Sequence, residues 1–267
     1  MTVTVELGAA QVAARVASTI DPVFSMIDGW RDRLVDRLAA DADPAAATLD
    51  PFVEALVGDA LEEPGSLITG AGFVAAPGYL ADAPWHLAWW LGAANTFGAG
   101  SGVRRLAAES DPDAEQFRDY TALEWWRVPA RTGNRHLTGP YVDYLCTDDY
   151  TVTITTPVTI RGELVGVVGV DLYVVRVEQA LLPVLRESAR PCTLVNASGR
   201  ITVSTDSRRA TGAMLRIEGL AAALAPLREG EGRVDDATDA SRPPALLVDG
   251  EIVVPCGDTS LALVLEA

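Results

Sequence analysis

The chain has 267 residues, of which 49% are hydrophobic and 22% charged, a balance typical of a folded globular protein. Its formal net charge of −16 and pI near 4.4 disfavour direct binding to nucleic acid or anionic lipid, because both are negatively charged. All 21 Lys+Arg residues are Arg, which excludes a phosphate-binding loop with its Lys and a Schiff-base enzyme.

The cysteine and histidine residues do not form a metal or disulfide pattern. The three Cys residues are far apart and odd in number, and no pair has the spacing of zinc ligands. We therefore predict no metal, no cofactor and a reducing compartment. The five residues are Cys146, Cys192, Cys256, His86 and His136.

Neither a signal peptide nor a membrane span is predicted. The N-terminus lacks a basic start followed by an apolar core. The most apolar run, Leu164–Val177, is too short to span a membrane and contains Asp171. We therefore expect a cytoplasmic protein.

The first predicted element is a long helix over residues 5–41, which ends near Pro44. Apolar residues recur along it at spacings of three and four. Such a stripe either packs against the core of the same chain or forms a dimer seam, and we hypothesise a homodimer. The stripe consists of Ile20, Phe24, Ile27, Leu34 and Leu38.

A second helix and two strands follow. Asp50–Glu62 is predicted to be a helix with Asp50 at the N-cap and Pro51 at the first helical position. Leu67–Ala75 and His86–Leu91 are predicted strands, and Gly92–Gly102 is predicted to be a loop.

The middle of the chain contains the clearest pattern. Asp113–Tyr120 is predicted to be a helical turn, Leu123–Ala130 a helix, and Tyr141–Leu145 a strand. Tyr150–Ile160 and Leu164–Val174 are rich in β-branched residues and flank a turn at residues 161–163, which predicts a β-hairpin.

The C-terminal part of the sequence indicates a second, smaller module that begins near residue 187. A helix is predicted over Arg176–Arg186, and Gly230–Pro244 is predicted to be a mobile loop. Short strands are predicted at 191–195, 200–205, 251–255 and 261–265. The predicted division is therefore a helix at 1–43, one module at 44–187 and another at 188–267.

Three groups of residues suggest a binding pocket. The side chains of Trp125 and Trp126 lie about 100° apart on a helix and either form a pocket wall or fill the core. Period-two alternation places Tyr141 and Asp143 on one strand face. Asp171 interrupts an apolar strand, so it either accepts hydrogen bonds from nearby backbone or binds a cationic ligand.

An enzymatic alternative rests on Cys146 and His136 as a nucleophile–base pair, or on the acidic cluster around them. The residues that follow Cys146 include Asp148 and Asp149, whose negative charges would raise the pKa of a thiol. We therefore do not expect an enzyme. A ligand-free structural dimer module is a further alternative.

Several motifs resemble those of double Cache sensor domains. These are an aromatic pair, a Pro-Tyr strand, a strand ending in Pro-Val, a Gly-Val-Val-Gly-Val-Asp strand and a later hairpin. The resemblance implies an α+β fold with a long N-terminal helix followed by two PAS-like antiparallel-sheet modules, the first bearing the ligand. The motifs lie at 125–126, 140–141, 150–158, 166–171 and 194–206.

The resemblance also bears on the ligand. Amino-acid-binding members share a motif in which a Tyr is followed, after four residues, by an Arg, and then, after one residue, by a Trp-Tyr pair. An Asp follows later in the chain. The Arg binds the carboxylate of the amino acid, and the Asp binds its amine. Here Arg118 stands at the Tyr position, Leu123 at the Arg position and Trp125–Trp126 at the last two, whereas Asp171 is kept. The resemblance thus implies that only the amine-binding half of the motif remains. Cation–π contacts with Trp suit an ammonium group.

We therefore expect a small-molecule sensor that binds an organic amine or similar cation. It would act on a separate transcriptional regulator or signalling protein, as a stand-alone cytoplasmic relative of these domains. The candidate ligand-binding residues are Trp125, Trp126, Tyr141, Asp143, Asp171 and Tyr120.

Overall fold

The computed structural model of the chain describes residues 2–93, 95–96, 102–143, 150–229, 245–247 and 250–267. These residues form two units that do not follow the predicted linear division. Unit A comprises Ser25–His136 and Val142–Tyr173. Unit B comprises Met1–Phe24, Leu137–Tyr141 and Val174–Ala267. Each unit therefore gathers segments that are distant in sequence.

The N-terminal helix α1, Thr2–Ala39, confirms the predicted long helix. Every residue of its apolar stripe is buried within the single chain, from Ile20 and Phe24 to Leu34 and Leu38. Side chains without exposed surface cannot contact a second copy, so the prediction of a dimer seam along this stripe is wrong. A homodimer through another surface stays a prediction.

Helix α2, Ala46–Glu62, begins one turn before its predicted start. The carboxylate of Asp82 accepts hydrogen bonds from the backbone N–H groups of Ala46 at 2.6 Å and Ala47 at 3.2 Å. These bonds satisfy free donors of the first turn and lower the pKa of Asp82. The predicted N-cap at Asp50 is therefore wrong, because the cap comes from a residue distant in sequence.

A six-stranded sheet contains the predicted hairpin. The strand order is β3-β2-β1-β6-β5-β4. Between β5 and β6, Arg161 and Gly162 both have positive φ, 54° and 85°, as a type I′ turn requires. The predicted strands that correspond to β1, β2, β5 and β6 are confirmed. The bounds are β1 Ile68–Ala75, β2 Leu87–Leu91, β3 Arg104–Arg105, β4 His136–Val142, β5 Tyr150–Ile160 and β6 Glu163–Tyr173.

Other elements in this part of the chain differ from prediction. Strand β4 covers His136–Val142, so the predicted strand Tyr141–Leu145 is confirmed only at its first two residues, and Leu145 lies outside the described residues. Asp113–Tyr120 forms turns instead of helix, followed by a 3-10 turn at Tyr120–Ala122. Helix α3, Glu124–Thr132, confirms the predicted helix.

Unit B contains helix α4, Val174–Leu185, and a five-stranded sheet in the order β8-β7-β11-β10-β9. The predicted short strands are confirmed, and the predicted loop Gly230–Pro244 lies outside the described residues. A cluster that includes Val195, Leu224 and Val264 forms its core. The remaining bounds are β7 Cys192–Asn196, β8 Ile201–Ser204, α5 Leu220–Ala223, α6 Ala225–Glu229, β9 Ala245–Leu246, β10 Ile252–Pro255 and β11 Leu261–Leu265.

Within the described part of the chain, none of the helices combines the length and the apolar character needed to cross a membrane.

Candidate functional site

One face of the unit A sheet carries Asp171 and a set of small residues. Residues directly opposite each other in paired strands point to the same face. Asp171 therefore shares a row with Thr153 on β5 and Gly70 on β1. The next row along the same face consists of Thr155, Gly169, Gly72 and Trp89.

The carboxyl of Asp171 is only partly satisfied. Its side chain is 2% exposed, and the hydroxyl of Thr153 donates to its Oδ1 at 2.6 Å. Its Oδ2 is buried without a hydrogen-bond partner among the described residues. A buried polar atom of this kind is destabilising unless another group binds it.

Burial raises the pKa of Asp171 well above its ordinary value, and the charge of Asp143 raises the pKa further. The Thr153 hydroxyl and the Trp89 indole act in the opposite direction but do not outweigh burial. Asp143, the residue that follows β4, is 3% exposed. The two carboxyl groups are therefore both buried, and the charge of Asp143 opposes the ionisation of Asp171.

A second buried atom without a partner lies next to this carboxyl. The indole Nε1 of Trp89, in a residue 4% exposed, has no hydrogen-bond partner in the described part of the chain. A Cβ on Gly70 would lie 2.8 Å from this nitrogen and 3.2 Å from Oδ2 of Asp171. A donor and an acceptor thus border the same space over Gly70.

The tryptophan pair lies over the same face of the sheet. The hydroxyl of Thr155 donates to the backbone carbonyl of Trp125 at 2.6 Å, which fixes α3 one row from Asp171. Both Trp125 and Trp126 are buried. Their rings pack with that of Tyr120, at centroid distances of 6.3 and 5.2 Å. The pair therefore forms part of an aromatic cluster with Tyr120.

Tyr120 supports this cluster from the far end of β1. Its hydroxyl donates to the carbonyl of Ala75 at 2.8 Å, and Ala75 pairs with Gly166 instead of Asp171. Burial raises the pKa of Tyr120 to about 12. These contacts assign its hydroxyl a structural role, so direct ligand contact by Tyr120 stays a prediction that the geometry does not favour.

Tyr120→Phe is accordingly expected to lower the free energy of unfolding by about 1–3 kcal/mol, because the carbonyl of Ala75 loses its buried donor. Ligand affinity should change less than about twofold. Denaturant unfolding and calorimetric titration of the two proteins measure both quantities. An affinity loss larger than the stability loss would instead place the hydroxyl in the ligand site.

The remaining predicted residues are distributed between the two units. Asp143 belongs to unit A with Asp171, whereas Tyr141 is half-buried in unit B. Trp89 and Gly70 were missed, although a sequence signal exists. Glycine recurs at alternate positions 70 and 72 of a predicted strand, and glycine inside a strand often marks a close approach of other groups.

The described residues offer little geometry for the enzymatic alternative. The Nε2 of His136 lies 3.0 Å from a carboxylate oxygen of Glu124. Cys146 and its acidic neighbours Asp148 and Asp149 lie outside the described residues. No group of three or more His, Cys, Asp or Glu side chains within the described ranges could hold a metal ion.

Comparison with known proteins identifies the fold. Residues 104–179 match the model of the methyl-accepting chemotaxis protein-like first PDC sensor domain. A structure of methyl-accepting chemotaxis protein X is similar over 99% of this chain and 96% of its own, with 15% identity and a TM-score of 0.60. Comparison with curated protein sequences finds no match.

Two further similar structures contain bound amino acids. The ligand-binding domain of the Pseudomonas fluorescens chemoreceptor CtaA, in complex with L-valine, is 18% identical with a TM-score of 0.54; the match covers 98% of this chain and 94% of that one. The domain of the Pseudomonas aeruginosa PAO1 amino acid chemoreceptor PctB, in complex with L-arginine, is 18% identical with a TM-score of 0.52 and coverages of 97% and 92%. The chain therefore has the α+β fold of double Cache, or PDC, sensor domains.

Proposed function

We propose that this chain is a sensor domain that binds a small organic amine and transmits the binding event to a separate signalling partner. The observation that carries the proposal is the buried Oδ2 of Asp171, which has no partner among the described residues. A protonated amine supplies both a counter-charge and N–H donors to such an oxygen. The partner protein and a cytoplasmic location rest on the sequence alone.

The aromatic residues near Asp171 support a cationic ligand. Trp125 and Trp126 lie over the same sheet face, and Trp89 borders the space above Gly70. Tryptophan faces attract ammonium groups, and the attraction strengthens when water is excluded. A ligand anchored at Asp171 would therefore meet a surface suited to its charge.

The residue at the carboxylate-binding position favours an amine over an amino acid. Leu123 is half-buried and apolar, so it supplies no charge for a carboxylate. Arg118 is exposed and donates to the backbone carbonyls of Glu115 and Phe117. Neither residue replaces the Arg that amino-acid-binding members of this fold would place there.

An amino acid is the second candidate, and one observation favours it. Arg104 pairs with Leu91, which pairs with Gly70, so Arg104 extends the row that contains Asp171. Its guanidinium lies 3.2 Å from the carbonyl of Asn95. A ligand long enough to reach from Asp171 to Arg104 could present an amine at one end and a carboxylate at the other.

A thermal-shift screen tests the choice between these ligands. Primary amines and polyamines should stabilise the fold most, quaternary amines should stabilise it less because they carry no N–H donor, and plain carboxylates should not stabilise it. At about a hundred times its dissociation constant, a ligand adds roughly 2.7 kcal/mol to the free energy of unfolding, which gives a clear rise in melting temperature. Shifts with organic acids alone would contradict the proposal. Shifts with amino acids that disappear in Arg104→Gln would support the second candidate.

A further inference from the structure

Trp89 contributes a buried donor that the proposed amine site does not use. An indole Nε1 can donate a hydrogen bond but cannot accept one. That of Trp89 is buried without an acceptor in the described part of the chain. Leaving such a donor unsatisfied is destabilising, so a bound group that accepts from it gains an interaction.

The position of this donor relates it to Asp171. Both the Trp89 nitrogen and Oδ2 of Asp171 border the space over Gly70. The indole N–H lies near enough to the Asp171 carboxyl to lower its pKa as a hydrogen-bond donor does, but the geometry falls short of a hydrogen bond, since neither Nε1 nor Oδ2 has a partner among the described residues. An ammonium group alone has only donors, so it satisfies Asp171 and leaves the indole N–H without an acceptor.

We infer that Trp89 is a further ligand-binding residue, and that with Asp171 it selects amines carrying an oxygen on the carbon next to the amine-bearing carbon. In such a ligand the ammonium donates to Oδ2 of Asp171 and the neighbouring oxygen accepts from Nε1 of Trp89. Hydroxylated amines have this chemistry. The inference rests on the proposed function, because it assumes that the amine binds Asp171.

The adjacent residue provides a matched control. Trp90 follows Trp89 on β2, so its side chain points to the opposite face of the sheet. There its ring lies 5.7 Å from the guanidinium carbon of Arg105. Trp90→Phe therefore removes an indole from the same strand without touching the space over Gly70.

The test is calorimetric titration of the full chain with 2-aminoethanol and with propylamine, which has nearly the same size but no oxygen. The wild type should bind 2-aminoethanol about tenfold more tightly, a difference of about 1.4 kcal/mol. Trp89→Phe keeps a ring and removes the N–H, so it should abolish this preference by weakening the binding of 2-aminoethanol more than that of propylamine. Trp90→Phe should keep the preference.

Each other outcome overturns a specific statement. If the wild type binds both amines equally, or if Trp89→Phe keeps the preference, the role of Trp89 as a ligand donor is wrong while the amine site stands. If Trp89→Phe lowers the affinity for both amines equally, the indole acts only through Asp171, and the inference is also overturned. If the wild type binds neither amine, both the proposed function and the inference about Trp89 are wrong. The wild-type comparison decides the matter even if Trp89→Phe does not fold.

Discussion

Asp171→Asn is expected to reduce amine affinity by about 2–5 kcal/mol, the typical effect of removing one partner of a desolvated charge pair. The fold should survive, because Asn has nearly the same shape and its carbonyl oxygen can still accept from the hydroxyl of Thr153. The free energy of unfolding near neutral pH should not fall by more than about 1 kcal/mol, and it should rise where the unfolded wild-type chain has lost the Asp171 proton. Calorimetric titration and melting curves on both proteins measure the two effects.

The same substitution should change how stability depends on pH. In the folded chain, the raised pKa of Asp171 lets it keep its proton at pH values where the unfolded chain has lost it. The folded state therefore binds more protons, and the stability contribution of Asp171 falls as the pH rises from the ordinary value of 3.8 through the folded pKa. Asn does not titrate, so the variant should gain stability relative to the wild type across this window.

Amine binding should release a proton for the same reason. A bound cation favours the ionised form of Asp171, so its pKa falls on binding and affinity rises with pH up to the pKa of the free protein. Titrations in buffers of different ionisation enthalpy measure this release. Asp143→Asn removes a neighbouring negative charge, so it should move the pH range in which affinity rises to lower pH.

A destabilised Asp171→Asn protein with unchanged amine affinity would contradict the anchor role. Asp171 would then be a structural residue, and the amine proposal would lose its main support. Loss of affinity without the expected proton release would indicate that Asp171 is already ionised in the free protein.

Gly70→Ala and Gly72→Ala should have different consequences although both lie on the same face of β1. A Cβ on Gly72 would lie 2.1 Å from the backbone carbonyl oxygen of Ala88, so β1 and β2 would have to separate. Overpacking of this kind typically costs about 1–3 kcal/mol, and we expect the upper end because backbone cannot move aside. Denaturant unfolding measures this loss.

A Cβ on Gly70 would instead contact side-chain atoms of Trp89 and Asp171. Those side chains can shift, so we expect a smaller loss of stability, about 1 kcal/mol. Because the methyl group occupies the space that both polar atoms border, amine affinity should fall at least about tenfold. Unchanged affinity in a folded Gly70→Ala protein would mean that the ligand does not enter this space.

The sequence determined the elements whose signals are local. The hairpin of β5 and β6 follows from β-branched strands and a turn with glycine, and the long α1 helix follows from apolar spacing of three and four. Asp171 could be singled out because a carboxylate within an apolar strand requires an explanation wherever the strand lies. The double Cache fold could likewise be recognised from motifs along the chain.

The tertiary structure decided everything that depends on contacts between distant residues. Only the folded chain brings Asp82 to the start of α2, buries the stripe of α1, and directs the hydroxyl of Tyr120 to Ala75. Strand register likewise decides that Trp89 and Gly70 lie beside Asp171, because these three residues come from separate strands. The register of strand pairing depends on how the whole sheet buries its faces, and a local sequence pattern does not specify the free energy of that burial.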